Sequence, residues 1–271
     1  SDVDLAQPAD LTGEDEDTTA PTPAGTVEIV TAGDAIVYRT EGGGVFGATL
    51  SGGGAASPID PYAEVERDDD EQAPRFSASA VSVDADGVVY AYSAAEKLIV
   101  RADAATGRIV GQDETPIAPV DAQLSAVGGR WVLYDVTTGD VAVRGRDGLV
   151  ETAPLPGAVL QRAATSGDAA YIADPTGLTR VPIESGTADR PVESPGLGTP
   201  AVPAPSGNTV HAAWLGDGTG GGSLWSSARP DATVPLDYAG ADIGDGVDPV
   251  FVGNGSRLAV NDRGSGWVWR G

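Results

Sequence analysis

Apolar residues in this chain alternate with polar ones over short runs, and the runs recur. In VSVDADGVVYAYSAAEKLIVRADAATGRIV, residues 81–110, a strand reaches Asp86-Gly87, a second returns from it, and a third leads to Ala105-Thr106-Gly107. Strict period-two alternation around a Gly-containing two-residue turn predicts a β-hairpin, because such turns need the positive φ that Gly, Asn and Asp accept. No stretch sustains a 3.6-residue period, so no helix is predicted.

The same hairpin appears six times: VEIVTAGDAIVY (27–38), VSVDADGVVYAY (81–92), LSAVGGRWVLY (124–134), AATSGDAAYIA (163–173), VPAPSGNTVHAAW (202–214) and VFVGNGSRLAV (250–260). A third strand follows each copy, and shorter fourth segments such as RIVGQ and LVETAPL follow some. The turn glycines Gly33, Gly87, Gly128, Gly167, Gly207 and Gly255 are 54, 41, 39, 40 and 48 residues apart. A four-stranded unit repeating about every 40–45 residues predicts an all-β fold, a single β-propeller of six blades with three to four antiparallel strands each. Seven blades is the alternative, if the terminal segments build a blade of their own. Paired β-sandwiches would show no register returning at that interval.

The long first step falls on SPIDPYAEVERDDDEQ, which has no strand pattern and is expected to be an exposed acidic loop over about 57–72, with a second over 12–24. The last copy stops at its third strand. VDLAQPADL (3–11) is the expected closing strand, covering an open sheet edge in the final blade.

Composition narrows the chemistry. The formal charge of −24 disfavours nucleic acid and anionic bilayers as partners. Residues 1–24 and 60–71 together carry −13 of it, which reads as solvated loops. No apolar run is long enough to span a membrane. The 271 residues include no cysteine, which removes disulfides, thiolate ligands and Cys nucleophiles. His211, the only histidine, occupies a strand position filled by Tyr90, Leu133 or Ile172 in other copies, so a multi-histidine metal site is excluded by count.

Asp34, Asp86, Asp135, Asp140, Asp168, Asp217 and Asp262 fall in turns, where Asx hydrogen bonds to the backbone explain them. Asp84-Ala85-Asp86-Gly87 begins like a calcium loop but lacks the third ligand and the bidentate Glu; calcium is the one cofactor with any support, and none is expected. Trp131, Trp214, Trp225, Trp267 and Trp269 are assigned to strands that pack blade on blade. Residues entering the innermost strands approach the central channel, which makes Arg75, Asp121, Gln161 and Asp248 the candidate binding residues.

The stretches VEIVTAGDAIVYRTEGGGVFGATLSGG, GRWVLYDVTTGDVAVRG and SRLAVNDRGSGWVWRG resemble the propeller-like region of large actinobacterial surface proteins that carry immunoglobulin-like or fibronectin type III modules. That resemblance implies an exported, extracellular or cell-surface recognition or adhesion region, monomeric within a longer polypeptide and directed at a protein or glycan ligand. It carries over no functional residue. The alternative reading is a hydrolase or lyase with a carboxylate or divalent-cation site at the channel mouth.

Overall fold

The computed structural model describes residues 22–52, 55–63, 76–153, 155–194, 196–216, 221–236, 246–254 and 257–270. They form six antiparallel sheets in chain order, the blades of a β-propeller. Blade 1 contains β1 (Thr26–Ala32), β2 (Ala35–Thr40), β3 (Val45–Thr49) and β4 (Ser57–Ile59). Blade 2 contains β5 (Ala80–Val83), β6 (Val88–Ser93), β7 (Leu98–Asp103) and β8 (Ile109–Glu114). Blade 3 contains β9 (Ala122–Val127), β10 (Arg130–Asp135), β11 (Asp140–Val143) and β12 (Val150–Glu151). Blade 4 contains β13 (Val159–Leu160), β14 (Ala169–Asp174), β15 (Gly177–Pro182) and β16 (Asp189–Glu193).

Blade 5 has five strands: β17 (Thr199–Pro200), β18 (Ala204–Ser206), β19 (Thr209–Leu215), β20 (Gly222–Ser226) and β21 (Thr233–Leu236). Its inner strand is split, since β17 and β18 both pair with β19 and Pro203, which has no amide proton to donate, lies between them. Blade 6 has three: β22 (Pro249–Asn254), β23 (Arg257–Asp262) and β24 (Val268–Arg270).

Apart from the split inner strand of blade 5, each strand within a blade pairs with the next, as the hairpin pattern predicts; Ala80 faces Tyr92 and Val83 faces Val89 across β5 and β6. Gly87, with φ of +82°, closes that turn. Two segments depart from the expected boundaries. The inner strand of blade 4 is Val159–Leu160 rather than 163–165, because the Gln161 amide bonds to Tyr171 O and Ala164 instead bridges to Val127 of blade 3. Ser57–Ile59, expected at the start of an acidic loop, is the outer strand β4, anchored by buried Ile59. Most of the remaining 60–72, all of 1–11, and all but three residues of 12–24 lie outside the described residues.

Blades stack face to face, so their central strands bury both sides; every residue of β14 is buried. Five apolar clusters fill the joints between blades 1 and 2, 2 and 3, 3 and 4, 4 and 5, and 5 and 6. Trp131 packs between blades 2 and 3, Trp214 and Trp225 between 4 and 5, and Trp269 beside the cluster of 5 and 6. Trp267 is a correction to the sequence reading: it precedes β24 and is 42 % exposed. Among the described residues no apolar cluster joins blade 6 to blade 1. Val27 and Ile29 on β1, and Val252 and Val268 on blade 6, are exposed instead.

Candidate functional site: the central channel

The innermost strands converge on a cavity of about 1110 Å³ lined by all six blades, from Val27–Gly33 of blade 1 to Gly253 and Leu258 of blade 6. Its wall is mixed. Val27, Ile29, Val120, Leu124 and Val202 supply apolar surface, while Thr31, Ser79, Thr165 and Ser206 supply hydroxyls. Val120 is 90 % exposed at this wall.

The candidate residues separate here. Asp121 and Gln161 both line the channel. Gln161 is buried, its Oε1 accepting from the Tyr171 amide at 2.9 Å and its Nε2 donating to the Arg162 carbonyl at 3.2 Å. Asp248 is not among the lining residues; it is exposed and pairs with Arg263 at 2.7 Å. Arg75 lies outside the described residues.

Three further charged groups line the channel. The Arg39 Nε donates to Glu28 at 2.7 Å, which neutralises that pair. Arg162 is the third, and sequence reading passed over it because it follows the residue chosen, Gln161. Its amide donates to Pro203 O at 2.9 Å across to blade 5, and Gln161 holds its carbonyl, so its backbone is fixed from both sides. Arg162 is exposed at the channel wall, and the partial burial it does experience there lowers its pKa.

Elsewhere the carboxylates serve the fold. Asp84 is buried; its Oδ1 accepts from the Asp86 and Val88 amides of its turn and its Oδ2 from the Tyr90 hydroxyl of β6 at 3.0 Å, so protein donors already engage both oxygens of this residue in the calcium-like stretch. Burial opposes ionisation of Asp262, yet hydrogen bonds from the Ser265 hydroxyl and the Asp248, Gly264 and Ser265 amides hold its pKa below the usual range. Among the described residues no three His, Cys, Asp or Glu side chains gather in a way that could hold a metal. His211 sits half-buried in β19, and burial lowers its pKa. A second cavity, about 730 Å³ between blades 3 and 4, has its Arg130 paired to Glu184 and its Arg180 paired to Asp168 and Asp189.

Comparison with known proteins supports the architecture. Virginiamycin B lyase from Staphylococcus aureus, a β-propeller protein, superposes with a TM-score of 0.53 at 12 % identity, covering 92 % of this chain and 81 % of the lyase. A streptogramin B lyase gives 0.51 at 11 % identity, covering 91 % of this chain and 82 % of its own. The computationally designed Ika8 protein gives 0.51 at 14 % identity, covering 89 % and 70 %. The chain is a β-propeller. At these identities the likeness extends to the fold alone. No protein-family model and no curated protein sequence matches the chain.

Proposed function

We propose that this propeller is a non-enzymatic recognition or adhesion module of a larger bacterial protein, working outside the cell or at its surface and binding its ligand at the channel mouth. The observation that carries this reading is where the carboxylates go. Asp84, Asp135, Asp174 and Asp262 accept hydrogen bonds from their own turns, and Glu28 is held by Arg39. A glycoside-cleaving pair needs two free acids about 5–10 Å apart across a cleft. The wide, part-apolar wall is suited instead to holding a ligand, with Asp121 as an accepting group and Gln161 as the residue that positions the wall. The resemblance to actinobacterial surface proteins supports an exported setting.

The test incubates the purified protein with surface glycans, peptides and cyclic peptide lactones, then measures retention and product mass together. Retention of a ligand with its mass unchanged is the expected result. A product that forms with the native protein and disappears in Asp121→Asn would overturn the reading in favour of a channel-mouth hydrolase or lyase. Labelling of intact cells of the source organism checks the location; signal only after lysis would count against it.

A further inference from the structure

We infer that Arg162 makes the central channel a binding site for a small monocarboxylate with an apolar body. The inference rests on the recognition reading above and names the ligand class for the same channel.

The argument starts from charge. Among the described residues, most arginines are engaged: Arg39, Arg101, Arg130, Arg144, Arg180, Arg190 and Arg263 pair with carboxylates, and Arg146 donates to two backbone carbonyls. Arg162 makes no side-chain hydrogen bond or ion pair, although acids outnumber basic residues 40 to 16 in the sequence. Lys97, Arg108 and Arg229 also form no ion pair and, like Arg162, are exposed, but they do not line the channel. A guanidinium stays charged at all ordinary pH values, so one that lines the channel without a counter-charge is available to an anion that enters it. Its backbone is meanwhile pinned by Pro203 and Gln161, which fixes the point on the channel wall from which the side chain extends.

The ligand's chemistry follows from the surroundings. A planar fork of donors matches a carboxylate with two parallel hydrogen bonds. The strongly negative field of the whole protein selects against multiply charged anions. Val27, Ile29, Val120, Leu124 and Val202 offer apolar surface in the same cavity, so a bound acid gains by covering them. A volume of about 1110 Å³ accommodates a small molecule.

The experiment titrates the full chain calorimetrically with hexanoate, with hexanamide as the neutral equivalent and with inorganic phosphate as an anion lacking an apolar body. The expected result is that hexanoate binds roughly tenfold or more tightly than either. Arg162→Gln should remove that preference and Arg162→Lys should keep part of it, with melting temperatures confirming that both variants fold. Hexanoate binding no tighter than hexanamide or phosphate, unchanged by Arg162→Gln, or absent would overturn the inference. If the site fails while a macromolecular ligand is still retained unchanged, the recognition reading stands without it. If hexanoate binds but a substrate is turned over, the site stands and the non-enzymatic reading falls.

Discussion

Trp214 and Trp225 offer a controlled test of what holds two blades together. Both are buried in the cluster between blades 4 and 5, and both donate an indole hydrogen bond to a backbone carbonyl. Trp214 Nε1 reaches Asp174 O at 2.8 Å, where the acceptor residue is itself buried. Trp225 Nε1 reaches Pro230 O at 3.0 Å, in an exposed turn that water can enter. Trp→Phe removes the same atoms at each site, costing roughly 1–2 kcal/mol in lost packing at both. Only at Trp214 does it also leave a buried carbonyl short of its donor, for about 1–3 kcal/mol more. Trp225→Phe keeps an aromatic ring against Tyr171, now 5.5 Å away between ring centres, so its loss should stay near the packing value. The difference between the variants should appear as a melting temperature roughly 2–12 °C lower for Trp214→Phe, measured by scanning calorimetry. Equal losses would refute the claim that the buried carbonyl, rather than the volume, decides the cost.

Further measurements follow from the same physics. Burial, with a smaller contribution from Asp135, pushes the Tyr92 pKa up to about 12, and burial raises Tyr90, Tyr134 and Tyr171 as well. The native state therefore keeps protons that the unfolded chain loses from about pH 10 upward, so stability should fall between about pH 10 and 12; Tyr92→Phe should shallow that fall, and an unchanged slope would count against it. Calcium at millimolar concentration should raise the melting temperature no more than sodium at equal ionic strength, because protein donors already engage both oxygens of Asp84; a saturable calcium-specific rise lost in Asp84→Asn would contradict this. Deleting residues 1–11 should lower the melting temperature by several degrees if they supply an outer strand beside β24, where blade 6 has none among the described residues, whereas no change would dismiss that closure.

The blades were legible in the sequence because their signal is local. Period-two alternation and a glycine at the hairpin turn fix the first two strands of most blades, and Gly33, Gly87, Gly128 and Gly207 take the positive φ, between 57° and 82°, that such turns require. Outer strands were harder to see. Β4 is three residues long and contains Pro58, and its place depends on pairing with β3 rather than on its own pattern. The shift in blade 4 has the same origin, since Gln161 and Ala164 are held by contacts to distant residues. Asp121 could be placed at the channel from its position at the entry to an inner strand, whereas Gln161 lines the channel from the end of β13, because that strand lies earlier than its own pattern suggests. Arg162 could not be singled out, because its meaning lies in the lack of a partner, and that depends on where every acid ends up in space.

The joint between blades 6 and 1 gives this ring a direction of failure. With five joints filled by apolar clusters and, among the described residues, none at the sixth, the toroid works as a bracelet with a clasp. Among the described residues, Val27, Ile29, Val252 and Val268 beside that joint already meet solvent. Amide exchange should therefore be fastest along β1 and β22–β24, with blades 2 to 5 opening only on global unfolding. The same joint borders the channel through Gly253 and Leu258 on one side and Val27 to Gly33 on the other, so a ligand that fills the channel touches both sides of the clasp.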